Sequence, residues 1–145
     1  CQCTSGQIRN YQNRIPGPLL DRLDIFLEVP RPDYRKFREE RGVEDSATIR
    51  ERVQRARKFA QKRFSGERWV PNARLTPRML KKYCVLSPEC ERLLEASQRH
   101  YAFSGRAIHK IIRLARSIAD MEESRDISPA HLSEAISFRI SRYFQ

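Results

Sequence analysis

No stretch of this 145-residue chain approaches the roughly 18 consecutive apolar residues that a membrane-spanning helix needs, and no secretory signal opens it. No membrane partner is expected, and a cytoplasmic location is. There is no initiator methionine: the chain starts on Cys-Gln-Cys, which predicts a piece of a longer protein. The G-x-x-x-x-G-K-[ST] loop that cradles phosphates is missing, so the chain by itself is expected neither to bind ATP well nor to hydrolyse it. His100, His109 and His131 are the only histidines, and their spacing suits no metal. They read as surface or helix-packing residues. No nucleophile stands in a recognisable arrangement with a base.

Acidic residues are the scarcer sign, 18 Asp and Glu against 29 Lys and Arg, for a formal charge of +11. That balance favours polyanions, nucleic acid above all, because Lys and Arg contacts to phosphate dominate nonspecific affinity. The plainer reading is a solvated basic surface that confers solubility. Four cysteines without a secretion signal argue for a reducing compartment and against a disulfide framework. Cys84 and Cys90 flank an apolar helical junction, where free cysteine behaves as a small buried hydrophobe. Cys1 and Cys3 differ. Two thiolates so close can share a metal, but a structural zinc site takes about four ligands.

What the chain does contain is mostly helix. "TSGQIRNYQN" over residues 4–13 suits a capped helix with Ile8 and Tyr11 on one face, broken by Pro16, Gly17 and Pro18. "PLLDR" suits a single turn. "DIFLEV", residues 24–29, is the one convincing strand, closed by Pro30 and Pro32. A lone strand needs partners from outside this chain or from another copy. Beyond it, "DSATIRERVQRARKFAQKRF" puts Ile49, Val53, Ala56, Ala60 and Phe64 on one stripe, and Trp69 in the following loop suits an anchor against the helices. Three later helices open alike, on Leu-Thr-Pro at 75–77, Leu-Ser-Pro at 86–88 and Ile-Ser-Pro at 127–129. In each the hydroxyl caps free amides and Pro takes the first helical position. Leu75 can staple to Leu80, and Ile127 to Leu132. Residues 33–145 therefore read as a bundle of about five helices joined to a broken α/β body: a mainly α chain.

Two arginines stand out. Arg22 lies between Asp21 and Asp24 at the edge of the strand, either as a structural ion pair or as a charge aimed at something outside the chain. Arg106 lies in the first turn of the helix "SGRAIHKIIRLARSIADM", where the helix dipole disfavours a cation. A cation there makes sense if both it and the helix end face an anion such as phosphate. Ile108, Ile111, Ile112, Ala115, Ile118 and Ala119 form the buried face of that helix. Arg106, His109, Lys110 and Arg113 align on the other side, with Lys110 and Arg113 expected to be solvated.

"CTSGQIRNYQNRIPGPLLDRLDIFLEVP", "DSATIRERVQRARKFAQKRF", "NARLTPRMLKKYCVL" and "SGRAIHKIIRLARSIADMEESRDISPAHLSEAISFR", in that order, resemble the C-terminal part of ComM/YifB proteins, the magnesium-chelatase-related branch of the AAA+ ATPases. The resemblance implies that residues 1–32 are the last part of an α/β ATPase core and residues 33–145 its helical lid. It implies that Arg22, in "LLDR", is an arginine finger reaching the nucleotide site of the next subunit, with Asp21 and Asp24 orienting it or keeping it solvated. Arg106 matches the sensor-2 arginine, in "SGRA" where the family mostly has "SARA". Cys1 and Cys3 resemble the second half of a cysteine cluster that would hold zinc once an upstream C-x-C is added. ATP and Mg2+ are the implied cofactors of the intact protein, and its implied partners are its own copies in a ring, a hexamer, and DNA, on which it would act as a helicase or branch-migration motor in DNA uptake and recombination. Two other readings stand beside this one: an autonomous basic helical module that binds nucleic acid without ATPase chemistry, and a chelatase-type motor acting on a protein or metallation target.

Overall fold

The computed structural model describes residues 3–12, 14, 16–31 and 44–140. Helix α1 (Ser5–Gln12) opens on a reciprocal cap: Gln7 N–H donates to Thr4 Oγ1 at 3.4 Å, and Thr4 N–H donates to Gln7 Oε1 at 2.8 Å. Its Ile8 and Tyr11 are exposed. Pro16 precedes the single turn α2 (Gly17–Leu20). The domain boundary expected between residues 32 and 33 lies outside the described residues, as does Cys1.

Residues 24–29, expected to be a strand whose partners come from outside this chain, are extended, and no ladder partner lies beside them among the described residues. Their attachments run to helices instead. Phe26 N–H donates to the Phe138 carbonyl at 2.8 Å, while Ile25, Leu27 and Val29 stay exposed.

Among the described residues five helices follow, as the periodicity predicts: α3 (Ser46–Lys62), α4 (Pro77–Tyr83), α5 (Pro88–Tyr101), α6 (Gly105–Met121) and α7 (Pro129–Ser137), with a 3-10 turn at Asn72–Arg74. The last four begin on the capping hydroxyls. Thr76 accepts from Met79 N–H at 3.3 Å, Ser87 from Cys90 N–H at 3.2 Å, Ser104 from Ala107 N–H at 3.1 Å and Ser128 from His131 N–H at 3.3 Å. Each such cap contributes about 1 kcal/mol. Both expected staples are buried, Leu75 with Leu80 and Ile127 with Leu132. Leu86 and Ile127, which lead into α5 and α7, meet in one parallel bridge, so these two helix starts lie side by side.

Helix α6 is the axis of the bundle, packed against α7, α3, α4 and the 3-10 turn. Ala107, Ile111, Ala115 and Ala119 form its fully buried line, and three alanines in that line let neighbouring helices come close. Phe64, Leu94, Leu132, Ala135 and the two thiols Cys84 and Cys90 complete the core. Trp69 packs on it from the loop as expected. Ile49 remains exposed, so the stripe of α3 starts to bury only at Val53. His131 is a helix-packing residue: its Nδ1 accepts from Ser128 N–H at 3.0 Å, leaving Nε2–H for Glu122 Oε2 at 2.8 Å.

Candidate functional site

Helix α6 also organises the polar residues, because its N-terminal two turns lie against the 21–24 segment. Ser104, the N-cap, donates its hydroxyl to Asp21 Oδ1 at 2.8 Å. Arg106 Nη1 reaches Asp21 Oδ2 at 3.9 Å, with its side chain 77% exposed. An exposed pair at that distance contributes under about 1 kcal/mol, so Arg106 is free to engage another anion. One turn further, the Lys110 side chain is only 14% exposed and its ammonium meets three oxygens: the Arg22 carbonyl, the Leu23 carbonyl at 3.1 Å and Asp24 Oδ1 at 2.9 Å. All three ammonium donors are used. Arg139 adds a second hold, donating from Nη1 to the Leu23 carbonyl while its guanidinium lies 5.2 Å from the Phe26 ring. Burial pushes the Arg139 guanidinium toward losing its proton, and Asp21 and Asp24 oppose that shift.

This geometry settles how Asp21, Arg22 and Asp24 relate. Neither aspartate holds Arg22: Asp21 is taken by Ser104 and Arg106, and Asp24 by Lys110. The Arg22 backbone is clamped through its carbonyl, whereas its side chain is exposed and has no ion-pair partner among the described residues. An open cleft of about 660 Å³ borders the segment, with Asp21, Phe26, Phe103, Ser104 and Arg139 among its walls.

The solvated basic face expected for Lys110 and Arg113 is corrected. Lys110 is the clamp just described, and Arg113 docks Nε and Nη2 on the Leu75 carbonyl at 2.9 and 2.6 Å. Nearly three turns beyond Arg106 the burial deepens. Arg116 is 1% exposed and bonds Asp120 Oδ1 from Nε at 3.1 Å and the Arg125 carbonyl from Nη1 at 2.7 Å. Asp120 also accepts from Asn72 Nδ2 at 2.7 Å and from Arg63. Burial weakens the hold of Arg116 on its proton, and Asp120 works against that. This cluster ties α3, the 3-10 turn and α6 together.

Sequence reasoning singled out Arg22 and Arg106 and read Ser104 as a cap and Lys110 as solvated, but missed that Ser104, Lys110 and Arg139 bring the two arginines onto one support. The only signal for Lys110 is its place one turn after Arg106. Of the two cysteines proposed as metal ligands, Cys3 is exposed, and among the described residues no group of three or more metal-ligating side chains occurs. Among them, too, no helix is long and apolar enough to cross a membrane.

Residues 43–139 match the family described as magnesium chelatase, subunit ChlI C-terminal, and residues 1–37 match magnesium chelatase, subunit ChlI. The uncharacterized protein YifB of Salmonella typhimurium is 39% identical over 139 residues, covering 95% of this chain and 27% of its own length. YifB of Escherichia coli is 36% identical over 146 residues, covering 95% and 27%. Competence protein ComM of Haemophilus influenzae is 35% identical over 135 residues, covering 92% and 26%. The chain thus spans about a quarter of the length of the curated relatives it matches. With its bundle falling inside one family match and Arg22 inside the other, the chain belongs to the magnesium chelatase ChlI family, in the ComM/YifB-like branch.

Proposed function

We propose that this chain supplies two phosphate-contacting arginines to the ATP sites of a ring-forming AAA+ ATPase that acts on DNA. Arg22 is the finger that reaches the neighbouring subunit's site, and Arg106 is the lid's own contact. The observation that carries this reading is the contrast within Arg22: a backbone clamped by Lys110 beneath a guanidinium left exposed and unpaired among the described residues. A structural ion-pair arginine would show the opposite arrangement. The charge of +11 supports a nucleic-acid substrate, and the family resemblance gives the work its form, helicase or branch migration in DNA uptake and recombination within a hexamer.

The residues present fit a nucleotide phosphate. Arg106 is loosely held at a helix start with no acidic residue in its first turn, and Arg22 has its side chain to spare. Bound ATP supplies the phosphoryl group to be transferred; Arg22 stabilises the charge that develops on it, an effect of about 10³ to 10⁵ in rate for such arginines. Asp21 and Ser104 orient the start of α6, and Lys110 sets the direction in which Arg22 leaves the segment. No residue of this chain is assigned to Mg2+ or zinc, as no group of three metal-ligating side chains occurs among the described residues.

Substitution within the intact ATPase separates the two arginines. Arg22→Ala leaves nucleotide binding nearly unchanged and lowers hydrolysis by about 10³ or more. Arg106→Ala weakens binding as well, because a lid arginine on bound phosphate contributes in the ground state. Full hydrolysis by Arg22→Ala, or loss of folding, would show that Arg22 is structural.

A further inference from the structure

We propose that a basic cleft at the end of the bundle away from Arg106 seats the phosphodiester backbone of nucleic acid; the proposal rests on the DNA reading above and gives it a surface. The cleft holds about 600 Å³ and is lined by five cations, Lys62, Arg63, Lys82, Arg116 and Arg125, against one carboxylate, Asp126. Arg116 lies ten residues along α6 from Arg106, about 15 Å at the helical rise. The cleft is therefore separate from the candidate phosphate site.

Its cations divide by what they already hold. Arg63 and Arg116 are committed to Asp120, and Lys82 bonds Glu67 at 2.5 Å. Even with Glu67 and Asp120 counted beside Asp126, five cations face three carboxylates. Lys62 and Arg125 are exposed and have no ion-pair partner among the described residues, so their charge is available to a ligand. Arg55 and Lys58 precede Lys62 by seven and four residues. Helical periodicity puts all three on one side of α3, and all three are exposed, so a basic stripe leads into the cleft. Its walls also include the half-buried rings of Phe59 and Tyr83. Cations beside aromatic faces suit a strand that alternates anionic phosphates with planar bases. An acidic peptide offers the charge without the rings.

The test measures binding of a fluorescent single-stranded DNA of about 16 nucleotides to the 145-residue chain across a salt series. Lys62→Gln/Arg125→Gln removes two phosphate contacts. The log–log salt slope is expected to shrink by about 1.4, with roughly 25-fold weaker binding at 0.1 M salt. Arg92→Gln/Arg99→Gln makes the same charge change on exposed residues of α5 outside the cleft and is expected to leave both quantities near wild type. Circular dichroism checks that each variant folds. Equal losses in the two variants would overturn the cleft while leaving the DNA reading in place. Absence of DNA binding by the unaltered chain would likewise overturn the cleft.

Discussion

Two buried side chains set the chemistry of the bundle at the residue scale. Asp120 compensates the Arg116 guanidinium, which is enclosed at the centre of the fold. Replacing Asp120 by Ala leaves a buried cation with only backbone carbonyls to face, a loss of about 3–5 kcal/mol. The urea midpoint should drop accordingly; a loss below about 1 kcal/mol would mean that the carbonyls suffice. Cys84 makes a pH-dependent prediction. Burial raises its thiol from 9.0 to about 11, with the nearby arginines pulling it back only in part. The folded state therefore favours the protonated thiol. Its contribution is complete below about pH 9 and is lost as pH rises from about 9 toward 11. Melting temperatures measured across that window should fall more steeply for the wild type than for Cys84→Ala, and parallel curves would contradict the assignment.

At the scale of the element, the start of α6 can be improved without touching its function. A Cβ at Gly105 would meet nothing within 4 Å. Gly105→Ala should therefore stabilise the fold by about 0.4–1 kcal/mol through the unfolded state, read as a higher denaturation midpoint with Arg106 unaltered. The helix starts were legible in the sequence because a cap is a local device. Thr76, Ser87, Ser104 and Ser128 each act within three residues. The extended course of residues 24–29 was legible, but its attachments were not, because a strand's pairing lies outside the segment and the backbone bonds that hold it here come from Phe138, Lys110 and Arg139. The polar side of α6 was misread for a related reason. Periodicity shows that Lys110, Arg113 and Arg116 share a region of the helix, but it cannot show backbone carbonyls of distant segments arriving to receive them. Arg22 and Arg106 were legible from their settings, between two aspartates and in a first helical turn; their assigned roles came only through motif resemblance, and their shared support through Asp21, Ser104 and Lys110 required the fold.

For the whole molecule, the two arginines rest on one piece of structure. Asp21 touches the cap of α6 and Arg106, and Lys110 of the same helix grips the Arg22 carbonyl. Movement of α6 would therefore carry both arginines together, a coupling that suits the ring proposed above. The central claim is that Arg22 acts in trans, and mixing experiments address it most directly. An intact ATPase carrying Arg22→Ala is combined with one whose phosphate-binding loop is disabled, each inactive by itself. The account predicts partial recovery of hydrolysis in the mixture, because some interfaces then pair a working loop with a working arginine. No recovery in rings shown to contain both variants would contradict it.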